Sequence, residues 1–253
     1  MIYVMSDIHG EYEKYRTMLD LIHFSDNDTL YVLGDVVDRS PRSAELLFDM
    51  ASRPNVYPIM GNHEIVAIDM LSKLLLEHNK DNFEKYFTVE FLEQVYAWQM
   101  DGGDSTIEAF RALRPDERSD LLDYMRDFSL YETVDVGDRT FILVHAGLQN
   151  FDERRALRDY AADELVLSDH DMHRQYFPDP SIYIVKGHTP TPLITGKAEI
   201  YQEANNISKR QYAPQPESGT RGAALFPYNY FLFLTISKIT AMTSTMPPMT
   251  SCQ

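Results

Sequence analysis

Cysteine is almost missing from this chain: among 253 residues only Cys252 carries a thiol. No intrachain disulfide can form, and a reducing cytoplasm is the expected compartment. Positive charge is also scarce. Lys and Arg number 23 against 39 Asp and Glu, a formal net charge of −16. That argues against a nucleic-acid backbone or an anionic membrane as the main partner, because both attract basic surfaces. A phosphorylated substrate stays compatible, since a buried dication dominates its local field. Long apolar runs are missing too. The nearest, Tyr230 to Ile239, contains Lys238 and falls well short of the ~20 residues a membrane helix needs. Met1 to Asp7 lacks a basic region followed by a long apolar one, so no signal peptide is expected.

What is present is a series of short apolar runs, each closed by a polar cluster. Ile2 to Met5, Leu30 to Leu33 and Val56 to Met60 read as buried strands, although Pro58 cannot donate a ladder hydrogen bond. Tyr12, Tyr15, Met18, Leu19 and Ile22 recur at helical spacing, and Ser43 to Ala51 reads as a helix between Pro41 and Pro54. Residues 64 to about 129 carry helical patterning interrupted at Gly102-Gly103, with Ile65, Ile68, Met70, Leu71 and Leu75 on one core face. Tyr131 to Val136 and Thr140 to Val144 flank Gly137-Asp138 as a hairpin. Residues 150 to 180 are polar and irregular, Ile182 to Val185 is a further strand, and from about 207 the chain turns rich in Ser, Thr, Pro and Met.

The clusters are Asp7-Ile8-His9-Gly10, Gly34-Asp35-Val36-Val37-Asp38-Arg39, Gly61-Asn62-His63-Glu64, His145-Ala146-Gly147 and Gly187-His188-Thr189. Active sites gather where the carboxyl ends of strands meet. Carboxylate, imidazole and amide oxygen together suit divalent Mn, Fe or Zn. Asp7 and His9, two apart in an extended chain, point the same way and can share one ion. A carboxylate such as Asp35 can bridge two ions ~3.5–4 Å apart.

In this order, the motifs Asp-x-His-Gly, Gly-Asp-x-x-Asp-Arg and Gly-Asn-His-Glu followed by two separated histidines resemble the signature of the calcineurin-like metallophosphoesterases, and within them the phosphoprotein phosphatases. The likeness is to the compact bacterial and phage serine/threonine phosphatases and covers about residues 1 to 206. Trp98 with Asp101-Gly102-Gly103 and Thr106 resembles a helical-region motif of the bacterial members. The resemblance implies an α+β fold, a four-layer α/β/β/α sandwich of two mixed sheets flanked by helices, with a catalytic domain at 1–206 and a diverged tail at 207–253. It implies two divalent metal ions, Mn foremost with Fe or Zn as alternatives. Asp7, His9 and Asp35 would hold the first ion; Asp35, Asn62, His145 and His188 would hold the second. A metal-bridging hydroxide would attack phosphorus in line. His63 would protonate the leaving oxygen, Asp38 would orient His63, and Arg39 with Asn62 would bind phosphate oxygens.

Three departures stand out. Ser40 replaces a usual glycine, which predicts backbone strain if φ there is positive. Asp169 falls where a second phosphate-binding arginine is expected, with Arg174 the nearest substitute. After Asn205-Asn206 the expected Asp-Cys-Gly strand is missing. An altered reading frame or a diverged end would cost core strands there and leave the apolar run Phe231 to Leu234 exposed, an aggregation hazard. The expected activity is hydrolysis of phosphoserine or phosphothreonine in proteins. The alternatives are hydrolysis of dinucleoside tetraphosphates, a small phosphoester substrate, and a catalytically impaired phosphate-binding protein. No feature supports a nucleic-acid or membrane partner.

Overall fold

A computed structural model describes residues 1–75, 85–167, 174–190, 201–203, 206–208 and 234–235. Nothing among the described residues forms a helix long and apolar enough to cross a membrane. Two mixed sheets are flanked by helices. The first has strand order β3-β2-β1-β9, built from β1 (Ile2–Met5), β2 (Thr29–Leu33), β3 (Val56–Ile59) and β9 (Leu234–Thr235). β1, β2 and β3 run parallel, and β9 pairs antiparallel with β1, Leu234 opposite Val4. Pro58 is accommodated because β3 is an edge strand of this sheet, where a missing donor costs no ladder bond.

The second sheet has the order β4-β5-β6-β8-β7. The hairpin β4 (Tyr131–Val136) and β5 (Arg139–Val144) turns at Gly137-Asp138 as the pattern predicts. β6 (Ile182–Lys186) lies parallel to β5 and to β8 (Asn206–Ser208), and β7 (Tyr201–Glu203) closes the edge antiparallel to β8. Strand β8 therefore starts at the last residue of the expected catalytic domain and carries Ile207, 2% exposed, into the core. Of the apolar run Phe231 to Leu234, the first three residues lie outside the described residues, and Leu234 is in β9.

Strand alternation assigns the core to two faces. Val4, Leu33, Ile59, Phe141, Leu143, Tyr183, Val185 and Ile207 pack together between the sheets. Their neighbours Tyr3, Met5, Val32, Ile142, Val144 and Ile184 point the other way, into the core shared with the helices. Both faces are buried, which is why these strands read as continuous apolar runs.

Helices α1 (Tyr12–Leu21), α2 (Ser43–Ala51) and α3 (Asn62–Leu74) follow β1, β2 and β3. The expected helical region continues as α4 (Val89–Trp98), a π-helical turn at Gln99–Gly103, α5 (Asp104–Arg111) and α6 (Pro115–Arg126). The break at Gly102-Gly103 is a kink: Gly102 has φ +101°. Residues 150 to 180 contain more regular structure than their polarity predicts, with a 3-10 turn at Leu157–Asp159 and a short α7 (Ala162–Val166). Leu165 and Val166 are buried there; five residues are too few for a visible periodicity.

Candidate active site

The loops after β1, β2, β3, β5 and β6 converge, so all five polar clusters meet at one edge of the two sheets. Their backbone is bent sharply. Asp7, His9, Asp35, Asp38, Arg39 and His188 all have φ between +48° and +72°. Left-handed φ costs a non-glycine residue about 1–2 kcal/mol, and such strain concentrates at functional sites. Ser40 is not among them; the left-handed pair falls one step earlier, so the expected strain at Ser40 is absent.

Two compact groups share Asp35. His9, Asp35 and His63 place one ligand atom each within 4.8 Å of one another, and so do Asp35, His145 and His188. Asn62 joins the second group, its Oδ1 lying 3.0 Å from His145 Nε2 and 3.1 Å from His188 Nδ1. Asp7 and His9 both have positive φ rather than extended backbone, and Asp7 Oδ2 accepts the His188 backbone N–H at 3.1 Å.

The donor set fits divalent cations. His9 Nδ1 donates to the Val37 carbonyl at 2.9 Å and His145 Nδ1 to the Leu33 carbonyl at 2.7 Å. A carbonyl only accepts, so each ring carries its proton on Nδ1 and turns an Nε2 lone pair inward. That is the second contact by which metal-ligating histidines are oriented.

Opposite the shared carboxylate sit Asp38, Arg39 and His63. Asp38 Oδ2 accepts from His63 Nδ1 at 2.7 Å. Burial pulls the His63 imidazolium down, but the Asp38 hydrogen bond and the charges of Asp35 and Asp38 more than reverse this, and its pKa rises to about 8. Arg39 spans the mouth of the site, 2.9 Å from His9 Nε2 and 3.0 Å from His63 Nε2, with Asp101 Oδ1 3.2 Å away. Its planar fork suits phosphate oxygens.

Three participants carry no role in the sequence reading. Glu64, fully buried, accepts the backbone N–H groups of Asp35, Val36, Val37 and Gly61 at 2.7–3.1 Å. Burial and the nearby Asp35 push its carboxyl up, and the Val37 N–H, His145 and His63 oppose that shift. Trp98 and Thr106 reach Asp38 from the helical region. The only sequence signals are the final Glu of Gly-Asn-His-Glu and the spacing of Trp98, Gly102-Gly103 and Thr106. Asp169, the expected intruder, lies outside the described residues, as do His78, His170, Asp171 and His173. The Arg174 carbonyl accepts from Asn206 Nδ2 at 3.5 Å. His23 is exposed and belongs to no cluster.

A family profile described as calcineurin-like phosphoesterase matches residues 1–217. Several curated bacterial proteins are similar, each named a symmetrical bis(5'-nucleosyl)-tetraphosphatase. That of Pseudomonas fluorescens (strain SBW25) is 31% identical over 177 residues, 69% of this chain and 53% of the relative. That of Wigglesworthia glossinidia brevipalpis is 31% identical over 98 residues, covering 38% and 36%. That of Buchnera aphidicola subsp. Acyrthosiphon pisum (strain Tuc7) is 37% identical over 92 residues, covering 36% and 32%. The chain thus spans from about a third to about a half of the length of these relatives. A solved structure provisionally assigned as a diadenosine tetraphosphatase superposes with a TM-score of 0.52 at 16% identity, over 82% of this chain and 81% of that one. At that identity the likeness is one of fold.

Proposed function

The chain belongs to the calcineurin-like phosphoesterases, and from that premise we propose that it hydrolyses dinucleoside tetraphosphates at the central phosphoanhydride, releasing two nucleoside diphosphates. The observation that carries this reading is the shared name of the curated relatives, one of which aligns with more than two thirds of this chain. It replaces protein phosphoserine and phosphothreonine as the leading substrate expectation.

Asp35 sits between the two ligand groups and would be shared by both cations. Asp7 and His9 would hold one; Asn62, His145 and His188 would hold the other. Two divalent cations there would supply Lewis acidity toward the phosphate and activation of the attacking water. Arg39 binds non-bridging phosphate oxygens and offsets their charge. His63, whose Nδ1 faces the Asp38 carboxylate at 2.7 Å, holds a proton and delivers it to the oxygen that departs as the P–O bond breaks. Asp38 keeps that proton on the imidazole.

The same acid also supports a second reading, hydrolysis of a phosphomonoester. A nucleoside diphosphate leaves well, because a terminal phosphate has a pKa of only ~6. A serine or threonine alkoxide leaves poorly and depends on a proton donor. The deciding experiment measures kcat/KM with added Mn on diadenosine tetraphosphate and on a phosphoserine peptide, with products identified. A tetraphosphate rate at least tenfold higher, giving ADP alone, supports the proposal. A higher rate on the peptide, or release of ATP and AMP, overturns it.

A further inference from the structure

Asp38 and Arg39 are consecutive non-glycine residues with left-handed φ, +72° and +68°, a conformation that must be held from outside. One segment, Trp98 to Thr106, supplies the hold. Thr106 Oγ1 accepts the Asp38 N–H at 2.8 Å and donates to Asp38 Oδ1 at 2.6 Å. Trp98 Nε1 donates to Asp38 Oδ2 at 2.8 Å, the same oxygen that faces His63. The Arg39 N–H donates to the Gly102 carbonyl at 2.9 Å. Gly102 allows this approach: at φ +101°, an added Cβ would stand 2.7 Å from Arg39 Cγ and 2.9 Å from its backbone nitrogen. Trp98 in turn packs on Gly103, where an added Cβ would lie 2.4 Å from the indole ring.

An indole N–H can only donate. With the Thr106 hydroxyl donating to one oxygen and Trp98 to the other, Asp38 acts here as an acceptor, and His63 Nδ1, facing the same carboxylate, is the donor. Trp98 and Thr106 are both buried, 4% and 0% exposed, so neither needs to touch substrate for this effect. We infer that Trp98 and Thr106 are positioning residues, which fix the Asp38 carboxylate against His63 Nδ1 and hold the Asp38–Arg39 turn in working geometry. The helical region is on this account part of the catalytic apparatus rather than only its cover. The inference rests on the reading of His63 as proton donor given above.

The test uses variants that keep shape and remove one hydrogen bond. Trp98→Phe keeps an aromatic ring on Gly103 and deletes the N–H; Thr106→Val deletes the hydroxyl; Thr106→Ser restores it. The first two should lower kcat about tenfold on whichever phosphoester the parent hydrolyses, with KM and bound metal unchanged, and Thr106→Ser should recover most of the rate. In an Asp38→Asn background the same changes should cost less than twofold, because the group they position is gone. Independently of turnover, the far-downfield ring proton of His63 in metal-free protein, identified by its loss in Asp38→Asn, should shift or broaden in Trp98→Phe and Thr106→Val. Parental kcat and an unmoved proton in both variants overturn the inference, and so does an equal loss with and without Asp38. A parent inactive on every phosphoester, with the proton still responding, overturns the functional reading and leaves the positioning role standing.

Discussion

Glu64 Oε2 accepts the backbone N–H of Asp35 at 2.8 Å, and its other oxygen accepts those of Val36 and Val37. One buried carboxylate therefore ties the loop after β2 to the start of α3, where it also takes the Gly61 N–H at 3.0 Å. An amide in its place offers one acceptor oxygen to four donors and turns an NH2 group toward some of them. Glu64→Gln should cost about 2–3 kcal/mol in stability and reduce metal content at both groups, because Asp35 loses its anchor. Urea denaturation and metal analysis of the purified variant check this. Parental stability with full metal content would count against it.

Arg39 makes no contribution to either ligand trio but faces both His9 and His63. Arg39→Ala should leave metal content unchanged, raise KM for phosphate substrates and weaken inhibition by inorganic phosphate, each by about tenfold. Arg39→Lys should recover only part, since a point charge cannot bridge two oxygens as a planar fork does. Equal inhibition constants for phosphate in parent and Arg39→Ala would remove Arg39 from the binding role.

The five polar clusters were legible because each follows a short apolar strand, and strand ends in two packed sheets converge. The strands themselves were visible because both faces are buried, as at Ile142 and Leu143, which enter different cores. The hold on Asp38 was not legible in the same way. Trp98 and Thr106 lie 60 and 68 residues beyond it, and no periodicity encodes a contact across that distance. Glu64 was hidden for a different reason: its partners are backbone amides, which every residue has. Asp7 and His9 are left-handed rather than extended, so two-residue alternation is not what positions them. Helix α7 was missed because its five residues show too little pattern.

In metal-stripped protein, His63 provides a pH-dependent stability term whose sign follows from its raised pKa. The imidazolium is favoured in the folded state, with a pKa of about 8 against 6.5 unfolded. The contribution, about 2 kcal/mol, is fully present below pH 6.5 and is lost as pH rises through about 8. Urea midpoints should fall across that window in the parent and much less in His63→Asn, and the His63 ring should titrate near pH 8 by NMR. A parent and variant that track each other from pH 6 to 9 would contradict the assignment.

Metal stoichiometry separates a shared ligand from unshared ones. Asp35 belongs to both trios, whereas His9 belongs to one, and His145 and His188 to the other. His9→Asn should therefore lower the metal content of the loaded protein by about one ion, and His188→Asn likewise. Asp35→Asn should lower it by about two, because an amide lacks the charge and second anionic oxygen that a bridging position requires. Asp35 also accepts the His63 N–H at the start of α3 at 3.3 Å, so circular dichroism of Asp35→Asn must first show a folded chain. Elemental analysis after dialysis against excess Mn then counts the ions. Loss of a single ion in Asp35→Asn would mean that the two groups do not share this carboxylate, and the bridging role would pass to another residue.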